Sequence, residues 1–415
     1  MAYSAGSLKL KNSPDTTNAK RKIVLLLLLI LLVGLPSLFA YFPFWLESRG
    51  TFHESAHLAD LDNDGDLDVI LNNVRQESEF TAFSVTTLWF NEGNGRFTSQ
   101  RLEDAGGWAA NGADVDRDGD VDLLIFDGIR LKLLLNQGGA QGGKMGTFAN
   151  GGTTSGPEQN GQYGSILVGD INRDGQEDAF VAACCGRVFS IDGNDDTPNQ
   201  SWLWLNDWSE LDRLSVLIAP ADDLYGLALQ DAALGDLDGD GDLDLFAAVI
   251  APRKGRNRNP ADRVLLNDGA GHFSDSGQRL GNVDSTAVAL GDVDGDGDLD
   301  ALTGQANGTT LWLNEDGIFV QSGLKMMSGA ITAVFLQDLD GDGDADALIS
   351  ENGVAHIWWN AGEGLFIRDS QSFPYTKRDA LVIGDFDGNG RPDIFTAAYE
   401  NKYRIWFNQG EGRFR

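Results

Sequence analysis

The chain of 415 residues has only 2 cysteines, 4 histidines and 10 prolines, and its 31 Lys and Arg are outnumbered by 63 Asp and Glu. Two cysteines can build neither a disulfide framework nor a four-thiolate zinc site. A net charge of −32 argues against nucleic acid as a partner, because so acidic a chain repels phosphate. Sustained helical patterning is scarce as well. Glycine is abundant, with 52 residues, well above the usual share of about 7%. With 42% hydrophobic residues there is enough apolar surface for a sizeable core. Many tight turns between short strands, hence an all-β protein, is the expectation.

The only long apolar run is N-terminal. Residues 1–22 form a polar leader ending in Lys20-Arg21-Lys22, and 23–42 are apolar enough to span a bilayer, which needs about 20 such residues. An uncleaved signal anchor is expected, with secretion after cleavage near Ala40 as the competitor. Basic residues crowd the leader, so the positive-inside rule leaves it cytoplasmic and places residues 43–415 on the outer side.

Internal repetition is the main signal. One nine-residue acidic loop recurs at 60–68, 114–122, 170–178, 236–244, 292–300, 338–346 and 385–393. A second signature lies between the loops: Leu88-Trp-Phe-Asn-Glu-Gly-Asn-Gly-Arg-Phe97, and again Val264 to Phe273, Leu311 to Phe319, Ile357 to Phe366 and Ile405 to Phe414. It spells a strand and a tight hairpin. The fifth repeat reads as four strands, at 286–290, 299–303, 309–313 and 319–324, with the acidic loop joining the first two. Four strands make a propeller blade, and seven blades around a channel cover each other's faces. The last repeat ends just after Phe414, so the segment from Leu46 to Phe52 is expected to supply its outer strand.

Acidic residues at loop positions 1, 3, 5 and 9, Gly at 6 and a carbonyl from 7 form an oxygen cage suited to a hard cation. The candidate ligands are Asp60, Asp62, Asp64, Asp66 and Asp68; Asp114, Asp116, Asp118, Asp120 and Asp122; Asp170, Asn172, Asp174, Gln176 and Asp178; and Asp236, Asp238, Asp240, Asp242 and Asp244. The remaining three loops offer Asp292, Asp294, Asp296, Asp298 and Asp300; Asp338, Asp340, Asp342, Asp344 and Asp346; and Asp385, Asp387, Asn389, Arg391 and Asp393. Position 7 acts through its backbone, so Gln176 and Arg391 are tolerated there. About seven Ca²⁺, one per blade, is the expected cofactor set, since without ions the carboxylates would repel one another. No loop carries the Glu at position 12 of an EF-hand, and strands rather than helices follow. Loops and L-W-x-N-x-G-x-G-x-F segments together resemble the VCBS/FG-GAP repeats, the calcium-binding β-propeller family that includes the integrin α-subunit head. The resemblance covers about residues 44 to 415. It implies one calcium per blade on the bottom face and ligand binding on the top face.

Other constellations are weaker. His53-Glu54-Ser55-Ala56-His57 matches the H-E-x-x-H zinc signature, but aligns with an inner strand, where the histidines stand about 13 Å apart, too far to share an ion. Cys184 and Cys185 fall on the second strand of blade three as thiols or a strained pair. Arg253, Lys254, Arg256, Arg258 and Arg263 form a basic cluster on a top loop. His53, Trp108, Tyr163 and Arg378, with Tyr399 and Tyr403 in a top loop, are candidate contacts for a sugar or protein. Two sequons, at Asn199 and Asn307, matter only in a glycosylating host. The expected function is non-catalytic: a membrane-displayed propeller mediating protein or glycan adhesion. A polysaccharide-acting, lyase-like enzyme and a scaffold subunit of an envelope complex are the alternatives.

Overall fold

A computed structural model describes residues 51–78, 81–102, 105–128, 130–155, 165–182, 201–206, 227–251, 260–375, 380–398 and 402–415. The leader and the apolar run at 23–42 lie outside these residues. Among the described residues no helix is long and apolar enough to cross a membrane.

Seven antiparallel sheets form the blades of a β-propeller. Blade one is β1 (Thr51–Ala59), β2 (Asp68–Ser78), β3 (Thr81–Asn91) and β4 (Phe97–Arg101). Blade two is β5 (Ala109–Ala113), β6 (Asp122–Phe126), β7 (Arg130–Asn136) and β8 (Phe148–Ser155). Blade three contains β9 (Ile166–Gly169), β10 (Asp178–Val181) and β11 (Trp202–Trp204). Blade four is β12 (Ala228–Gly235), β13 (Asp244–Ile250), β14 (Arg263–Asn267) and β15 (Phe273–Asp275). Blade five is β16 (Ser285–Gly291), β17 (Asp300–Gln305), β18 (Gly308–Glu315) and β19 (Ile318–Gln321). Blade six is β20 (Ile331–Gln337), β21 (Asp346–Glu351), β22 (Val354–Asn360) and β23 (Phe366–Pro374). Blade seven contains β24 (Ala380–Gly384), β25 (Asp393–Ala398) and β26 (Lys402–Trp406).

Consecutive antiparallel pairing puts the first-to-second and third-to-fourth connections on one rim and the remaining connections on the other. Second strands are buried on both faces, which is why they read as unbroken apolar runs such as Leu245-Phe246-Ala247-Ala248-Val249. Outer strands such as β4 face solvent. Each interface between neighbouring blades has its own apolar cluster. Phe180, Leu229 and Leu245 join blades three and four, and Val69, Val382 and Phe395 join seven and one. The ring is therefore closed by side-chain packing at every joint.

The seam differs from expectation. Leu46 to Gly50 lie outside the described residues, but Thr51 and Phe52 pair with Arg75 and Val74 in blade one rather than with blade seven. Phe414 bridges Asn408, and Phe407 and Arg415 exchange two backbone hydrogen bonds, so the chain's own last residues begin the outer strand of blade seven. Blade one packs directly on that seam, Phe97 lying 5.8 Å from Phe386 and 5.3 Å from Phe395, centroid to centroid.

Candidate metal centres

Each acidic loop is shaped by its glycine and its first and last aspartates. Gly at position 6 has φ between 81° and 100° in all seven loops, a region closed to most side chains. Its N–H donates to the position-1 carboxylate at 2.6–3.2 Å, drawing the turn around that group. The position-9 carboxylate accepts the position-2 N–H at 2.8–3.1 Å. Its other oxygen accepts the N–H of the Asn that ends the third strand, at 2.7–2.8 Å.

Carboxylates at positions 1, 3 and 9 consequently converge. Oxygens of Asp60, Asp62 and Asp68 lie within 4.8 Å of one another, as do those of Asp114, Asp116 and Asp122, of Asp236, Asp238 and Asp244, of Asp292, Asp294 and Asp300, and of Asp338, Asp340 and Asp346. The position-5 side chains, among them Asp64, Asp240, Asp296 and Asp342, instead accept the position-7 N–H. Asp170, Asn172, Asp174 and Gln176 knit the third loop by internal hydrogen bonds. In the seventh, Asp385, Asp387 and Asn389 do the same, and Asn389 accepts the N–H of the exposed Arg391.

Electrostatics mark these as sites in need of a positive charge. Burial pushes Asp68, Asp122 and Asp346 up to about 7 and Asp178, Asp244, Asp300 and Asp393 up to about 6, against the pull of their backbone hydrogen bonds. Burial first, with neighbouring carboxylates adding to it, also raises Asp62, Asp116 and Asp294. One oxygen of each of these three is buried with no hydrogen-bond partner. Orphaned carboxylate oxygens in an all-oxygen donor set fit a hard divalent cation.

The Asn of the second signature has a role that its sequence does not advertise. Asn91, Asn136, Asn206, Asn267, Asn314, Asn360 and Asn408 each donate from Nδ2 to the position-2 carbonyl of the preceding blade's loop, at 2.7–3.0 Å. Asn91 reaches Phe386 across the seam, so the seven bonds make an unbroken circle. The position-2 residues Leu61, Val115, Ile171, Leu237, Val293, Leu339 and Phe386 are all buried beneath it. The recurrence of this Asn two residues before a glycine in five of the seven blades was the available signal.

The other candidates scatter. His57 lines the central channel, a cavity of about 610 Å³, where burial lowers its imidazole to about 4. His53 lies on the same strand, which bulges between His53 and Ser55, so H-E-x-x-H does not form a helical zinc face. His272 contacts Asp268 in a hairpin, and His356 on β22 is held by Arg368. Trp108 lines the channel beside Gln230, Asp231, Thr286 and Thr332. Tyr403 is not in a top loop: it sits on β26 with its ring stacked on Phe395 at 5.7 Å and edge-on to Trp89, because the blade-one joint offers an aromatic slot there. Arg263 is not a loop cation either. It opens β14 buried, its guanidinium donating to the carbonyls of Ala261 and Asp262. Arg253, Lys254, Arg256, Arg258, Tyr163, Arg378, Tyr399, Cys184, Cys185 and Asn199 lie outside the described residues, whereas Asn307 is exposed at the β17–β18 turn.

A propeller carrying an acidic cage in each blade belongs to the class of repeat proteins whose blades could each hold a metal ion. The FG-GAP-like repeat matches residues 60–125, 114–181, 236–303, 292–349 and 338–396, more than half of the chain, which belongs to that family. No curated relative matches the sequence. Among solved structures, an Agrocybe aegerita lectin that recognises non-reducing terminal N-acetylglucosamine is similar at 18% identity and a TM-score of 0.50, covering 89% of each chain. A Bacillus licheniformis rhamnogalacturonan lyase is similar at 14% identity and a TM-score of 0.51, covering 86% of this chain and 71% of that one. At these identities the likeness is one of fold.

Proposed function

We infer that this chain is a calcium-stabilised, non-catalytic propeller, displayed on the outer side of a membrane by residues 23–42, which binds a protein or glycan through the rim opposite its calcium loops. The observation that carries this reading is the division of labour between the rims. One rim repeats the same nine-residue loop and is tied by the asparagine circle. On the other, the described strand connections range from the two-residue turns at 306–307 and 352–353 to the nine-residue segments 276–284 and 322–330. A fixed frame with variable loops is how binding surfaces are built on rigid scaffolds. Extracellular calcium, which such modules bind at about 0.1–1 mM, supports the outer location. His57, His272 and His356 stand on three different parts of the fold, which weighs against the lyase-like alternative.

The test uses residues 43–415 loaded with calcium, first against a glycan panel and then with pectic polysaccharide. Saturable binding lost on chelation, with no new unsaturated chain ends, is the expected result. Release of unsaturated ends would overturn the non-catalytic reading in favour of a lyase.

A further inference from the structure

Blade two departs from the others at its third-to-fourth hairpin. In the five other blades where this turn is described it is short: 92–96, 268–272, 316–317, 361–365 and 409–413. In blade two it is the segment 137–147, which folds a 3₁₀ turn at Gly139–Gln141 over the acidic loop. The glycines there are required by contact. A Cβ on Gly138 would lie 2.9 Å from an Asp120 oxygen, and one on Gly139 would strike the Asp118 carboxylate.

This cover buries Asp120, at position 7, to 2% exposure, and leaves both its carboxylate oxygens without a hydrogen-bond partner. Gln141 donates from Nε2 to Asp116 Oδ2 at 2.5 Å, while its own Oε1 is buried and unpartnered. Asp116 Oδ1 is a fourth such atom. Four buried acceptors without a hydrogen-bond partner beside one acidic loop cost a fold heavily unless a cation is shared among them.

We propose that blade two holds a capped cation site, distinct from those of the other blades, in which Gln141 Oε1 and the Asp120 carboxylate join the loop's own ligands around a calcium-like dication. More ligands and a rigid cover tighten a calcium site and slow its release. The proposal rests on the calcium reading of the loops, and the experiment separates the two.

The calcium-loaded propeller is mixed rapidly with a chromophoric chelator, and released calcium is followed in time. One ion's worth leaves about 10-fold more slowly than the rest, in keeping with the effect of a supporting shell on metal affinity. Gln141→Ala and Asp120→Asn each abolish the slow phase. Gln141→Glu, which keeps an oxygen at that place, retains it, as does Lys144→Ala on the exposed side of the same hairpin. Should Gln141→Ala fail to fold, Gly139→Ala lifts the cover by another route and must also abolish the slow phase. Release of all calcium in one phase, or a slow phase that survives both Gln141→Ala and Asp120→Asn, overturns the proposal. A protein that binds no calcium at all overturns the reading beneath it too.

Discussion

Replacing Asn314 by Ala tests the asparagine circle at the joint between blades four and five. The side chain is 1% exposed. It donates to the Leu237 carbonyl of blade four at 2.9 Å and to the Leu299 carbonyl of its own blade at 3.2 Å, and accepts the Gly317 N–H at 2.9 Å. Alanine removes all three bonds and provides nothing in exchange. At about 1 kcal/mol net for each bond, the loss is about 3 kcal/mol, and more if the Leu237 carbonyl is left dry. In a cooperative unit of this size that lowers Tm by about 4 °C. Calorimetry at saturating calcium measures it, with exposed Asn307→Ala as the control expected to change little. A destabilisation below about 1 kcal/mol would mean that the apolar joints alone set the blade spacing, and the reasoning from the circle would fail.

Thermal melting in calcium and in excess chelator, with metal counting by mass spectrometry, should give a stoichiometry near seven and a large loss of stability on chelation, while unchanged melting would remove the metal reading. The pH response of the chelated protein has a defined sign. Because burial raises Asp68, Asp122 and Asp346 to about 7, the fold favours their protonated forms; their stabilisation is present near pH 4 and lost as pH rises through 7. The apo protein therefore melts higher at pH 5 than at pH 8, and saturating calcium abolishes or reverses the trend; an apo Tm that climbs with pH is incompatible with this account. His57, lowered to about 4 by burial, keeps a neutral imidazole by NMR down to about pH 5. Gly106→Ala drives a Cβ into the Ser84 carbonyl, a backbone clash that cannot relax by a rotamer change, and lowers Tm in calcium as in chelator.

The blade count, the four-strand unit and the acidic cages were legible because each rests on a local period that repeats. Ser285–Gly291, Asp300–Gln305, Gly308–Glu315 and Ile318–Gln321 match the strands read from the fifth repeat to within a few residues. What was not legible depends on which blade stands next to which. The asparagine bond runs to a residue 67 to 295 positions away, and no spacing within one repeat points to it. Tyr403 and Arg263 were misplaced for the same reason: each sits near a loop in sequence, but the neighbouring blade or the start of a strand claims its side chain. At the seam the expectation fails for Thr51 and Phe52, which pair within blade one, while Phe414 and Arg415 fold back on Asn408 and Phe407; Leu46 to Gly50 lie outside the described residues. Gln141 escaped notice because its hairpin departs from the repeat seen in the other described blades.

The asparagine circle behaves as a hoop. An outward pull on any one blade is resisted by the staple it makes to the blade before it and by the staple it receives from the blade after it, and the strain passes on around the rim. The loops that would hold mineral ions are threaded on that hoop through their position-2 carbonyls. Filling a cage should therefore tension its neighbours as well as itself, and the free rim, whatever it grips, would inherit its stiffness from the far side of the disc.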